Sequence, residues 1–247
     1  MLSKNELKYI QSLCQKKQRQ QEGLFIAEGT RLVDELLQSG YLIRKIYSLP
    51  DWIAEHPAVS AEVQQVSEAE LQKISLLQTP HQVLAIAAQK YPGPLPAESQ
   101  AFTLVVDGIQ DPGNFGTIIR IADWFGIRQI IASEDTVELY NPKVIQATMG
   151  SFIRVEVYYA PLEAYLQNCR LPIYGALLNG KSLYEQVPIS EAVLVIGNEG
   201  KGIRESLLPL ITHPITIPRI GGAESLNAAV AAGIIVSHLR MPVVNSQ

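Results

Sequence analysis

Cysteine is almost missing from this chain: Cys14 and Cys169 are the only two in 247 residues, and they form no CxxC pair. Two isolated thiols make no disulfide framework and no zinc site, so both are expected to be reduced. Histidine is equally thin, with His56, His81, His213 and His238 scattered, and they offer no metal-ligating cluster. No run of eighteen apolar residues occurs, so no membrane-spanning helix is expected. The opening MLSKNELKYIQ is polar and unlike a secretory leader, and the expectation is a cytoplasmic protein. An excess of basic charge is lacking as well: the net charge is −4, which argues against a generic nucleic-acid binder that coats phosphates with Lys and Arg.

Several common ligand signatures are also absent. A dinucleotide-binding GxGxxG would follow the first strand of its domain, yet Gly108, Gly113 and Gly116 have the wrong spacing. Gly197 to Gly202 is glycine-rich but lacks the GxxxxGK-Ser/Thr order of a phosphate loop, and no GxSxG nucleophile elbow is present.

What is present is a soluble-globular composition, 47% hydrophobic and 18% charged, in a chain long enough for one large domain or two modest ones. Residues 5–20 have helical spacing, and residues 1–20 carry a local charge excess, five Lys or Arg against Glu6, which suits a basic arm that contacts RNA or a merely solvated helix. Strands are expected at 24–27, 42–47, 63–66 and 83–88, with a helix closed by Gly40 and another opened by the Ser67/Glu70 capping box. The proline-rich stretch KYPGPLPAESQ reads as a linker. The resulting layout is a basic N-terminal helix at 1–20, a small α/β domain at 21–90, a linker at 91–101 and a second α/β domain at 102–247.

In the second domain, apolar strands alternate with helices: strands at 103–107, 129–132, 152–158, 173–178, 193–196 and 215–218, and helices from Thr117 to Phe125, from Asn141 to Met149, from Pro161 to Gln167 and from Glu224 to Arg240. That alternation predicts a mainly parallel sheet covered by helices on both faces, with a ligand pocket beyond the carboxyl ends of its strands. Three polar loops follow strands there. One holds a turn at 111–114 with Asn114, and Arg120 lies beyond it on the next helix. The second is Gly197-Asn198-Glu199-Gly200-Lys201-Gly202, where glycines let a ligand approach bare amides. The third leads from Ile217-Pro218 to Ser225-Leu226-Asn227 at the start of the last helix. Taken singly, the glycines could serve only turns and Ser225 only a cap.

Taken together, Asn114-Phe115-Gly116 with Arg120, Ile196-Gly197-Asn198-Glu199-Gly200, and Ile217-Pro218 followed by Ser225-Leu226-Asn227 resemble, in order, the three motifs of the SpoU-type (TrmH-like) branch of the SPOUT RNA ribose 2′-O-methyltransferases. The likeness covers about residues 103–240. Residues 24–90 resemble the small domain, similar to ribosomal protein L30e, that often precedes the catalytic one. After Asn227 the chain has Ala228-Ala229 where the family often shows a β-branched or small polar pair, a difference expected to touch packing and not chemistry.

The resemblance implies a knotted trefoil α/β fold, S-adenosyl-L-methionine as cofactor, an RNA substrate and a homodimer; the two-domain layout leans the substrate toward ribosomal rather than transfer RNA, and the thin Cys and His content leads to no metal being expected. It implies cofactor binding by the backbone near Gly197, Ile217 and Leu226, and a catalytic set of Asn114, Arg120, Glu199, Ser225 and Asn227. Threading would need side-chain-free crossings, which offers a reason for Gly197 and Gly221-Gly222. A tRNA methyltransferase, a non-catalytic RNA-binding relative and an unrelated nucleotide-binding α/β enzyme are the competing readings: mapping 2′-O-methyl sites addresses the first, absence of both donor binding and methyl incorporation marks the second, and stabilisation by ATP or NAD but not by the methyl donor marks the third.

Overall fold

The computed structural model describes residues 2–95 and 101–240. Residues 96–100 of the expected linker, and 241–247 of the expected second domain, lie outside the described residues. The chain divides into two compact units, one of residues up to Tyr91 with Glu138–Ile153, the other of Pro92–Val137 with the chain from Arg154 onward.

The first unit opens with α1 (Lys4–Ser12), whose start is capped by the Ser3 hydroxyl accepting from the Glu6 amide at 3.2 Å. A second helix, α2 (Lys16–Glu22), ends at Gly23 in the left-handed conformation, φ 64°. The single helix expected over 5–20 is therefore broken, with Gln15 extended between the two pieces. The break turns Arg19 inward: it is 1% exposed, donates to the Leu13 carbonyl at 2.8 Å and pairs with Glu138. Residues 1–20 are thus not a separate solvated arm, because Ile10 and Leu13 sit fully buried in the unit's own core.

Next come β1 (Leu24–Glu28), α3 (Thr30–Leu37), β2 (Ile43–Ser48), α4 (Pro50–Glu55), β3 (Val63–Gln65), α5 (Glu68–Ile74) and β4 (Val83–Ala88). The sheet order is β1-β4-β2-β3, with β4 antiparallel to β1 and β2, and β3 parallel to β2. Period-two alternation serves two cores: Tyr47, Leu84 and Ile86 pack with Ile10, Leu71 and Ile74, while Ile46, Val83 and Ala85 pack with Val33 and Trp52. The capping box is formed as expected, with Ser67 and Glu70 each accepting the other's backbone N–H.

In the second unit β5 (Thr103–Val106) leads to α6 (Pro112–Trp124) and β6 (Gln129–Ala132). Residues 111–114 are not a free turn: Asp111 caps α6 by accepting from the Asn114 amide at 2.8 Å, and Pro112 occupies the first helical turn, where its missing N–H costs nothing. The helix α7 (Pro142–Thr148) then departs from the expected layout, since Glu138–Ile153 packs with the first unit. Its links there are the Arg19–Glu138 pair and edge-to-face contacts of Phe152 with Phe25 and Tyr41.

The second unit resumes with β7 (Glu156–Tyr159), α8 (Leu162–Gln167), β8 (Ile173–Ser182), β9 (Val193–Ile196), β10 (His213–Thr216) and α9 (Ala228–Leu239). The strand expected from Phe152 is shorter because Ser151–Ile153 is a 3₁₀ turn, and β8 runs past Leu178 to Ser182. All five strand pairings in the order β10-β8-β9-β5-β6-β7 are parallel, and β5 and β9 are buried at every position, as a sheet covered on both faces requires. No helix among the described residues is long and apolar enough to cross a membrane.

Two of these glycines stand where backbone passes backbone. A Cβ on Gly180 would lie 2.7 Å from the Pro214 carbonyl carbon, and one on Gly197 would lie 2.3 Å from Gly202 and Ile203 backbone atoms. Gly221 and Gly222, expected at crossings, meet nothing within 4 Å.

Candidate active site

Because every strand of the second unit points the same way, the loops after β5, β9 and β10 leave from one end of the sheet. From β5 the chain moves outward to β6 and β7, then returns to β8 on the far side of β9, so the β5/β9 junction is the switch point where such sheets bind ligands.

Three side chains meet there. The Asn114 amide nitrogen donates to Glu199 Oε1 at 2.6 Å, and its carbonyl oxygen accepts from the Asn227 amide nitrogen at 2.8 Å. Asn227 in turn caps α9, its Oδ1 accepting from Ala229 and Val230 at 3.0 and 3.2 Å. The cap fixes which way the Asn227 amide faces; that fixes Asn114, and Asn114 fixes Glu199. The second Glu199 oxygen has no hydrogen bond among the described residues and remains available to a ligand donor.

Glu199 is carried by a tight hairpin. Asn198 and Gly202 exchange both backbone hydrogen bonds, at 3.0 and 2.9 Å, while Asn198 Oδ1 accepts from the Gly200 and Lys201 amides at 2.9 and 3.1 Å. The Asn198 side chain also donates to the Gly108 carbonyl at 2.7 Å, tying the hairpin to the end of β5. Sequence reasoning missed this residue. Its signal was an asparagine, a common backbone-binding turn former, between Gly197 and Glu199.

The other expected residues are dispersed around this trio. Gly197 ends β9 and is half-buried, and Ile217 is half-buried just past β10. Leu226 is exposed beside Asn227, and Ser225 is exposed in the loop before α9, not in its first turn, because the helix starts at Ala228 and not at Glu224. Arg120 is exposed on α6 with no ion pair or hydrogen bond among the described residues. Six positions along a helix put it about 9 Å from Asn114 along the axis and about 120° around it. This chain by itself does not bring Arg120 into the trio.

An adenosyl group with a positively charged sulfonium needs apolar walls, backbone polar atoms and a nearby acceptor. Ile217 and Leu226, the fully exposed Ile220 and the free Glu199 oxygen supply that set at the strand ends, so the residues fit the group. No cluster of His, Cys, Asp or Glu suited to a metal ion occurs among the described residues.

An all-parallel α/β unit with Asn, Glu and Asn joined across three strand-end loops defines the class. Residues 101–237 match the SpoU rRNA Methylase family, and residues 4–85 match the MRM3-like substrate binding domain. The chain belongs to the SpoU rRNA methylase family. It is 32% identical to the 23S rRNA (guanosine(2553)-2′-O)-methyltransferase RlmP of Bacillus subtilis, over 96% of this chain and 97% of that one. Among solved structures, an AdoMet-bound rRNA methyltransferase from Sinorhizobium meliloti superposes with a TM-score of 0.84 at 29% identity, covering 97% of this chain and 95% of that one. The SpoU methyltransferase AviRb from Streptomyces viridochromogenes, with AdoMet, has a TM-score of 0.85 at 22% identity, over 96% and 97% of the two chains, and supports the fold.

Proposed function

We propose that this chain transfers a methyl group from S-adenosyl-L-methionine to a ribose 2′-hydroxyl of ribosomal RNA, acting as a cytoplasmic homodimer. The observation that carries the reading is the hydrogen-bonded series Asn227–Asn114–Glu199, which joins all three family motifs at one end of the sheet. The rRNA methyltransferases among its relatives favour ribosomal over transfer RNA.

When bound, the cofactor supplies a methyl on an already activated sulfur, so the protein's task is largely to position and to remove a proton. The chain's own part would be to hold a ribose 2′-hydroxyl in line with the donor methyl and to give the hydroxyl proton a way out to a backbone phosphate or water. Arg120 holds its proton too tightly to act as the base. Its role is to bind the adjacent phosphate and stabilise the developing alkoxide. Asn114 orients the substrate or Arg120, Glu199 and Ser225 fix the loops and substrate, and Asn227 holds Asn114. Backbone around Gly197, Ile217 and Leu226 holds the cofactor.

Dimerisation is supported by what one chain leaves open. Arg120 is exposed with no ion pair or hydrogen bond among the described residues, while Trp124 at the end of α6 is 84% exposed and Val230 on α9 is half exposed. The close approach of Gly180 to the 214–215 backbone supports the threaded chain that the family fold implies. The first unit, with its match to a substrate binding domain, is assigned to RNA recognition.

The test is methyl transfer by the purified protein to RNA from a strain lacking the gene, with mapping of 2′-O-methyl sites against the parent. A new site in ribosomal RNA is expected. Incorporation into tRNA alone would overturn the substrate assignment, and absence of both incorporation and calorimetric binding of the methyl donor would reduce the chain to an RNA-binding relative.

A further inference from the structure

The hairpin that carries Glu199 is rigid within itself, so the position of its carboxylate depends on how the hairpin is mounted. Two consecutive residues at the end of β5 hold it on both sides. Asp107 donates its backbone N–H to the carbonyl of Ile196, the last residue before the hairpin, at 2.9 Å. Gly108 accepts from the Asn198 side chain at 2.7 Å, and its own amide is held by the Ser133 hydroxyl at 2.8 Å. The Asp107 carboxylate then grips the far side: Oδ2 accepts from the Arg204 backbone amide at 2.8 Å and Oδ1 from Arg204 Nε at 2.5 Å. Arg204 Nη2 also donates to Asp135 Oδ1 at 2.9 Å.

Asp107 is 2% exposed, which makes it unusual among acids close to the site. Leaving a buried carboxylate without partners is costly, and Arg204 supplies both an opposite charge and hydrogen bonds. Asn114 sits on α6, which leaves the same strand end a few residues later. Glu199 and Asn114 are therefore both referenced to one dipeptide, and they meet at 2.6 Å.

We propose that Arg204, clamped by Asp107, is a positioning residue for methyl transfer, setting the height of the Glu199 hairpin over the end of β5. The proposal rests on the assignment of Glu199 to the site made above. Arg204 touches no substrate; it acts through Glu199.

The experiment is a double-mutant cycle on the full chain: Arg204→Gln, Glu199→Gln and the pair, with kcat and KM for ribosomal RNA and for the methyl donor measured well below each variant's Tm. Arg204→Gln is expected to lower kcat about tenfold with KM for RNA nearly unchanged, and to add nothing in the Glu199→Gln background, because residues acting as one unit are not additive. Arg204→Lys, which keeps the charge but not the fork, should recover part of the loss; if Arg204→Gln does not fold, the cycle is run with Arg204→Lys. Losses that multiply, or a lowered Tm with wild-type kcat, would overturn the role. Wild-type activity in Glu199→Gln would remove the site assignment first and the proposal with it, whereas an impaired Glu199→Gln beside an unimpaired Arg204 variant sinks the proposal alone.

Discussion

Arg19 in the first unit and Arg120 in the second are both helical arginines in polar-looking stretches, and the fold treats them in opposite ways. Arg19 is 1% exposed, bound to the Leu13 carbonyl and paired with Glu138; Arg120 is exposed and bound to nothing among the described residues. The contrast holds for other charges too, with the Arg204–Asp107 pair of the second unit standing beside Arg19 among those matched inside the chain. In the first unit, Lys45 bridges Glu6 and Glu62 at 2.9 and 3.1 Å. In the second, Glu199 has a neutral amide for its partner and Lys201 is exposed with its ammonium unpaired among the described residues. A charge already matched inside the chain has its field cancelled and serves the fold. One left with a neutral neighbour, or none, retains its capacity for a ligand.

The sharpest way to break this contrast is to truncate both arginines. Arg120→Ala is expected to lower methyl transfer about a thousandfold, roughly 4 kcal/mol of transition-state stabilisation, with cofactor affinity and Tm unchanged. Radiolabelled methyl incorporation and calorimetry check this, and equal loss of activity and cofactor binding would show that Arg120 serves the cofactor instead. Arg19→Ala should do the reverse. It strands Glu138 beside a cavity and costs about 3 kcal/mol of stability by chemical denaturation. Wild-type kcat is expected at temperatures where the variant is folded. Should Arg19→Ala be as stable as wild type, the division between structural and available charge fails in its clearest instance.

A smaller effect separates two glycines of the second unit. Gly197→Ala would drive a methyl into the Gly202–Ile203 backbone, and is expected to cost about 2 kcal/mol of stability along with most cofactor affinity. Gly221→Ala has open space and should fall within about 0.5 kcal/mol of wild type. Thermal melts with and without the methyl donor distinguish them; similar behaviour of the two variants would mean that the hairpin readjusts freely.

These contrasts also mark what could be read from residues alone. Strands such as Val193–Ile196, and the Ser67/Glu70 box, were legible because a local pattern decides them. The break after α1 was not, since Leu7, Ile10, Leu13 and Cys14 keep helical spacing right up to it and the residue that stabilises it, Arg19, depends on Glu138, 119 positions away. The same distance problem hid the departure of Glu138–Ile153 to the first unit, because an amphipathic helix does not say which surface it will cover. Asn114, Glu199 and Asn227 were legible through the motifs that carry the family likeness. Asn198, Asp107 and Arg204 escaped because their roles consist of bonds to backbone groups 90 and 97 residues apart, which no spacing rule encodes.

The weakest expected effect tests the structural side of the comparison by pH. Glu6 accepts from Lys45 and from the Tyr47 hydroxyl, both at 2.9 Å, and the Lys45 hydrogen bond holds its carboxyl below the ordinary 4.5. A carboxylate with a lowered folded pKa stabilises the protein above its unfolded value, and that contribution fades as pH falls through the folded one. With the Glu6 and Lys45 side chains 22% and 25% exposed, solvent screening keeps the pair's worth under about 1 kcal/mol. Glu6→Gln should therefore lower stability slightly and uniformly at neutral pH, with the gap to wild type closing only below pH 4.5, the ordinary value. Urea denaturation at pH 7 and in the acid range reads this out. A gap that persists unchanged into acid would mean that the loss comes from packing against Tyr47 and not from charge, and the first unit's ion pairs would then be incidental to its stability.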